Sequence, residues 1–122
     1  METAVLAERR ILVVEDEPLI ALDIAARLQE AGARVLSASY LERALGLAEC
    51  PDLAAGVLDF DLGKTDSTPV CWKLASRQIP FLFHSGRLYS AFRQWPRAPV
   101  LLKPTTHVLI EAVAGLLHAP RK

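Results

Sequence analysis

Four short apolar runs in this chain each lead into a polar residue that can do chemistry. Arg10-Ile11-Leu12-Val13-Val14 is followed by Glu15-Asp16-Glu17, and Ala54-Ala55-Gly56-Val57-Leu58 by Asp59. Ser85 comes just after Phe81-Leu82-Phe83, and Lys103 directly after Pro99-Val100-Leu101-Leu102. Carboxylates, one hydroxyl and one lysine form the set that a magnesium-dependent phosphoryl acceptor needs. Crowded carboxylates repel one another unless a cation or a proton relieves them. Mg2+ does so through one or two carboxylates, water and phosphate oxygens. Asp16 and Asp59 are the expected direct ligands, with Glu15 acting through water, the backbone carbonyl of Asp61 adding an oxygen, and Mn2+ as a substitute ion. A carboxylate such as Asp59 can attack phosphorus and form an aspartyl phosphate. Lys103 would then neutralise the phosphoryl charge and Ser85 donate a hydrogen bond to it.

These residues meet only if the runs are neighbouring parallel strands, since ligands of open α/β sheets bind outside the carboxyl ends of the strands. Strands are predicted at 11–14, 33–38, 54–58, 79–83 and 100–102. Pro18 suits a first helical position. Ile20, Ile24, Leu28 and Ala31 follow at helical spacing, and Gly32 can supply a left-handed stop. Leu41, Leu45 and Ala48 mark a second helix, ended by Cys50-Pro51. Ser67 or Thr68 is expected to cap a third that has Pro69 in its first turn. Thr105 or Thr106 is expected to cap a last helix whose Leu109, Val113 and Leu116 face inward, with Pro120 beyond its end. Strand and helix alternate, which implies a parallel sheet covered on both faces. The expected organisation is a loose or helical extension at 1–9, one domain at 10–118 and a tail at 119–122.

Composition narrows the function classes. The chain has 122 residues, 52% of them hydrophobic, enough for one core and too apolar for a disordered chain. No apolar stretch approaches the ~20 residues of a membrane span, and the start lacks a signal peptide's basic end and apolar stretch. A cytoplasmic location with no membrane contact is the expectation. A formal charge of zero argues against bulk attraction to nucleic acid. The charge is unevenly spread, however: no acid occurs from Ser67 to Ile110, while Lys73, Arg77, Arg87, Arg93, Arg97 and Lys103 all do. Cys50 and Cys71 lack metal-ligand spacing and read as two reduced thiols. His84 precedes Ser85 in the chain, but strand geometry should turn it to the opposite face. Leu88, Phe92 and Trp95 share a helical spacing and should cover the sheet, leaving Tyr89, Arg93 and Arg97 as an exposed aromatic and basic contact surface.

The motifs V-V-E-D-E-P at 13–18, V-L-D-F-D-L-G at 57–63, I-P-F-L-F-H-S-G at 79–86 and V-L-L-K-P at 100–104 occur in the order of a known family. Over 10–117 the chain resembles a bacterial two-component response-regulator receiver domain, related to the chemotaxis protein CheY. The resemblance implies a flavodoxin-like (βα)5 doubly wound sheet of strand order 2-1-3-4-5. It implies Asp59 as phosphoacceptor, a histidine kinase or histidine phosphotransfer protein as donor, and a downstream protein contacted in a phosphorylation-dependent way. Phosphorylation and hydrolysis would be self-catalysed, without turnover of an independent substrate. Because the chain ends after the last helix, no DNA-binding output domain is expected. Three positions depart from the family. Val100 stands where an aromatic residue often swings, Thr105 replaces the usual aromatic after Lys-Pro, and Ser85 replaces the threonine of an F-x-T-G subgroup. The stretch from Ser85 to Lys103 is short, which suggests a shortened or irregular fourth helix.

Two alternatives stay open. One is a receiver-like interaction domain that works without phosphorylation, as Val100 would allow. The other is a small haloacid-dehalogenase-like phosphatase, whose nucleophile and acid pair is copied by Asp59-Phe60-Asp61. Against it, Asp59 follows the third strand rather than the first, and Glu111 is the only acid beyond Asp66. A flavin-binding flavodoxin is rejected, because Glu15-Asp16-Glu17 would repel the phosphate after the first strand.

Overall fold

The computed structural model describes residues 5–118. The tail at 119–122, with Pro120, and the first four residues of the extension lie outside the described residues. Five parallel strands form one sheet in the order β2-β1-β3-β4-β5, the flavodoxin-like order expected. They are β1 (Arg10–Val14), β2 (Arg34–Ala38), β3 (Leu53–Leu58), β4 (Phe81–Ser85) and β5 (Val100–Leu102). The α-helices are α1 (Pro18–Glu30), α2 (Leu41–Leu47), α3 (Thr68–Ser76) and α4 (Leu109–His118). Between β4 and β5 the chain makes only a 3-10 turn, Ser90–Gln94, in keeping with the short connection. No helix among the described residues is long and apolar enough to cross a membrane.

The central strands β1, β3 and β4 are apolar along nearly their whole length because both of their faces are covered. On one face α2, α3 and the 3-10 turn pack Ala44, Val70, Leu74 and Phe92 against Leu12, Leu58 and Phe83. On the other, Ile24 and Leu28 of α1 and Leu109, Val113 and Leu116 of α4 pack against Ile11, Val13 and Leu82. α3 lies so close to the sheet that a Cβ added at Gly56 would sit 3.0 Å from Leu74 Cδ1. Glycine at this position of β3 leaves room for the Leu74 side chain. α1 ends as its sequence suggests. Gly32 has a φ of 100°, and Ala33 N–H donates to Leu28 O at 3.0 Å, closing a Schellman turn.

Several local expectations are corrected. β4 is shifted by two residues from 79–83: Ile79 and Pro80 precede it, and it takes in His84 and Ser85 because these pair with Leu101 and Leu102 of β5. Neither Ser67 nor Thr68 caps α3 through its hydroxyl. The Asp66 carboxylate does this work, accepting from Thr68 N–H at 2.9 Å. The last helix begins at Leu109 rather than at Thr105 or Thr106, after turns closed by Thr105 N–H to Leu102 O and Leu109 N–H to Thr106 O. The extension is neither loose nor helical from Val5 onward. Leu6 is fully buried, and its N–H donates to Ala31 O at 2.8 Å, so burial of one leucine ties this segment over the end of α1.

Candidate functional site

The sheet ladder continues past the strand ends, and this fixes the backbone of the site. Asp59 N–H donates to Val14 O at 2.8 Å, Glu15 N–H to Ala38 O at 3.0 Å and Lys103 N–H to Ser85 O at 2.7 Å. Glu15, Asp59 and Lys103 are thus each the first residue beyond a hydrogen-bonded strand, Ser85 is the last of one, and Asp16 is the second beyond β1. The loop after Asp59 is held as well: Ser67 N–H donates to Phe60 O at 2.9 Å and Leu62 N–H to Thr65 O at 2.9 Å.

The Lys103 ammonium joins two of the acids. Nζ donates to Asp59 Oδ2 and to Glu15 Oε2, both at 3.2 Å. Glu15 and Asp59 are buried, whereas Asp16 is exposed at the mouth of the cleft. Carboxylate oxygens of Glu15, Asp16 and Asp59 all lie within 4.8 Å of one another. One ammonium cannot neutralise this set. Burial, and then the Glu15 charge, raise the Asp59 pKa to about 7 although Lys103 pulls the other way. Burial opposes the charge on Lys103, but Glu15 and Asp59 outweigh it and its pKa is raised. Glu15 Oε1 is 3.1 Å from Nζ yet out of line for a hydrogen bond, and it is buried with no hydrogen-bond partner. An excess of buried negative charge, an orphaned carboxylate oxygen and an all-oxygen donor set with one exposed member fit a hard divalent cation. The acids that would hold it are Asp16, Asp59 and Glu15.

Not every expected residue converges in the same way. The Asp61 carboxylate turns into its own loop and accepts from Gly63 N–H at 2.9 Å, so it is not set beside Asp59 as the acid of a phosphatase pair. Ser85 is fully buried at the end of β4. Its hydroxyl donates to Arg87 O at 2.7 Å and accepts from Arg87 N–H at 3.3 Å. His84 lies on the opposite face of β4, where Nε2 is 3.1 Å from Thr105 O. Burial, and then the nearby Lys103 charge, lower its pKa and keep it neutral.

The expected contact surface needs correction. Tyr89 is half-buried, its ring 4.8 Å from that of Phe60 and 5.6 Å from that of Phe92. Leu88, expected to cover the sheet, is 69% exposed instead. The backbone is extended at Tyr89, so helical spacing does not hold across 88–92 and the two side chains exchange roles. Much of the acid-free stretch is used internally. Lys73 pairs with Glu49, Arg77 donates to Ala48 O and Cys50 O at the end of α2, and Arg87 lies over Tyr89 at 4.8 Å. Arg93 and Arg97 are exposed and have no ionic partner among the described residues. Cys50 and Cys71 are both free, and burial pushes the Cys71 thiol up to about 12.

Three features escaped the sequence reading. Leu19 and Leu22 are 80% and 67% exposed on the first turns of α1, the helix that follows Glu15-Asp16-Glu17. Their position off the Ile20, Ile24, Leu28 stripe is the signal that could have found them. Trp72 is 57% exposed on α3, again off its helix's buried stripe. Phe60, the residue after Asp59, contacts Tyr89 and Phe92 and so links the site to the 3-10 segment.

No protein-family model and no curated protein sequence matches this chain. Solved structures do. SdrG from Pseudomonas melonis Fr1, in its BeF3-activated conformation, is 38% identical, with 91% of this chain and 98% of that one covered and a TM-score of 0.70. A response regulator receiver protein from Sinorhizobium medicae WSM419 is 26% identical over 93% of this chain and 98% of its own, with a TM-score of 0.83. Response regulator TrrA from Thermotoga maritima, in complex with Mg(2+)-BeF, is 26% identical over 89% and 99%, with a TM-score of 0.75. Similarity over nearly the full length of these structures joins the sheet order and the acidic cleft in one conclusion: the chain belongs to the CheY-like response-regulator receiver domains.

Proposed function

We propose that Asp59 accepts a phosphoryl group from the phosphohistidine of a histidine kinase or phosphotransfer protein, and that the phosphorylated form signals by protein contact. The observation that carries this is the Lys103 ammonium, 3.2 Å from Asp59 Oδ2 and from Glu15 Oε2, beside the exposed Asp16. An oxygen of Asp59 attacks phosphorus, the phosphorus–nitrogen bond of the donor breaks, and its imidazole leaves. Lys103, freed from the Asp59 charge, moves its contact to the phosphoryl oxygens. Attack of water on phosphorus later returns the Asp59 carboxylate and inorganic phosphate. The nucleophile must be ionised, and a carboxyl with a pKa of about 7 is only partly so near neutral pH. Held by Asp16 and Asp59, with Glu15 acting through water and the Asp61 backbone carbonyl adding an oxygen, Mg2+ would supply the charge that keeps these acids ionised and offsets that of the phosphoryl group. That TrrA is solved with Mg(2+)-BeF supports this choice of ion.

The exposed Leu19 and Leu22 on the first turns of α1 suit docking of the donor. For output, Ser85 would give up Arg87 O for a phosphoryl oxygen and so release the turn at 86–89. Phe60 lies against Tyr89 and Phe92, so the 86–99 backbone, rather than an aromatic residue at Val100, is the segment that moves. The phosphatase alternative is disfavoured by Asp61, whose carboxylate is held by Gly63. Labelling with acetyl phosphate is the test. It should require Mg2+ or Mn2+ and give a base-labile acyl phosphate that Asp59→Asn abolishes. Ser85→Ala should keep the label but shrink the accompanying NMR shifts of 86–99, having lost a hydrogen bond of about 0.5–1.5 kcal/mol. Labelling of Asp59→Asn equal to wild type refutes the assignment.

A further inference from the structure

We propose that the Trp72–Trp95 pair, with Arg93 and Arg97 two residues to either side of Trp95 in the chain, is a docking site for an acidic segment of a partner protein bearing one large apolar side chain. The proposal rests on reading the chain as a domain that signals by protein contact, and it says where that contact lies and what chemistry it takes. α3 turns Val70, Cys71 and Leu74 into the core, which leaves Trp72 on its outer face, 57% exposed. Its ring meets that of Trp95 edge to face, with centroids 4.7 Å apart, and Trp95 is anchored against Phe81 at 5.6 Å. The exposed ring therefore stands on a rigid support. The Trp95 indole N–H is buried without a hydrogen-bond partner.

Charge selects the occupant. Arg93 precedes Trp95 within the 3-10 turn, and Arg97 follows it in a β-turn closed by Ala98 N–H to Trp95 O at 3.0 Å, with Pro96 fixing the corner. Neither guanidinium has an ionic partner among the described residues, and the acid that reaches α3 next to Trp72, Glu49, is already paired with Lys73. A second copy docked across a two-fold axis would set these arginines against their own equivalents. Two cations on a chain of zero net charge are too few to hold a phosphate backbone. An acidic peptide segment satisfies both guanidinium groups, and an apolar side chain covers the Trp72 ring. Tryptophan and arginine are the residues on which interface energy concentrates.

The test selects a random 12-residue peptide library on the metal-free, unphosphorylated protein and measures the winners by tryptophan fluorescence. Trp72 and Trp95 are the two tryptophans of the chain, so the signal arises at the site itself. Enriched peptides should be acidic with a single Leu, Phe or Trp and should shift the emission saturably. They should bind the Arg93→Glu/Arg97→Glu variant about tenfold more weakly or worse. Trp72→Ala, followed by NMR with its fold checked by circular dichroism, should lose them too. Enrichment of neutral or basic peptides overturns the proposal, as does no enrichment or equal binding by the charge-reversed variant. Self-association that Trp72→Ala abolishes assigns the patch to a second copy and overturns it as well. Because no phosphorylation is involved, failure to label Asp59 would sink the phosphoacceptor reading without touching this one.

Discussion

Replacing Asp59 by asparagine should stabilise the metal-free protein, by an amount that depends on pH. The Asp59 pKa is raised from 3.8 to about 7, first by burial and then by Glu15. Below about pH 4 the carboxyl is protonated in both folded and unfolded chains, so its burial costs little. Between about pH 4 and 7 the unfolded chain ionises while the folded one still holds the proton, so wild type loses stability as pH rises and levels off above about 7. The full displacement corresponds to at most about 4 kcal/mol. Water reaches the cleft through the exposed Asp16, which reduces the expected figure to about 2 kcal/mol. Asparagine keeps an oxygen for Lys103 and leaves the Lys103–Glu15 pair intact. The assay is urea unfolding in EDTA at low salt, from pH 4 to 8.5, for both proteins. Taking the difference cancels His84, whose lowered pKa makes both proteins lose stability as pH falls below its unfolded value. The variant should match wild type near pH 4 and exceed it by about 2 kcal/mol at pH 8.5. A difference that does not change with pH, or a less stable variant at pH 8.5, refutes the account of the acidic cleft.

Mg2+ at ten times its dissociation constant should stabilise wild type by about 1.4 kcal/mol, and Asp16→Asn should lose most of that gain in thermal unfolding. Lys103→Met should destabilise the protein by about 2–4 kcal/mol at pH 8, where two buried carboxylates lose their cation. It should cost much less at pH 5, where a proton takes the place of that cation, and parallel unfolding curves at the two pH values check this. Gly56→Ala should cost about 1–3 kcal/mol, because its Cβ would meet Leu74 Cδ1 at 3.0 Å. A double variant with Leu74→Ala should then show coupling, measured as non-additive unfolding free energies.

Most of the architecture was legible in the chain because a parallel sheet covered on both faces writes itself as apolar runs separated by amphipathic helices. The ends of those runs named Asp59, Glu15, Asp16, Ser85 and Lys103, since chemistry at the edge of such a sheet must sit where the apolar stretch stops. Periodicity also found Ile24, Leu28, Val113 and Leu116, whose burial follows from helical spacing alone. What the chain did not reveal depends on contacts between distant residues. Pairing with β5 drew His84 and Ser85 into β4, and an Asp66 cap displaced the one expected from Ser67 or Thr68. An extended backbone at Tyr89 exchanged it with Leu88, because non-helical segments carry no period to read. The pKa of Asp59 arises from burial and from Glu15, 44 residues away in sequence, so no local pattern encodes it. The exposure of Trp72 likewise appears only once α3 has turned its other apolar side chains into the core. Local propensity and pattern specified which elements form and where their reactive ends lie; only the packed fold decided which of those ends share one ammonium and which surfaces remain open to a partner.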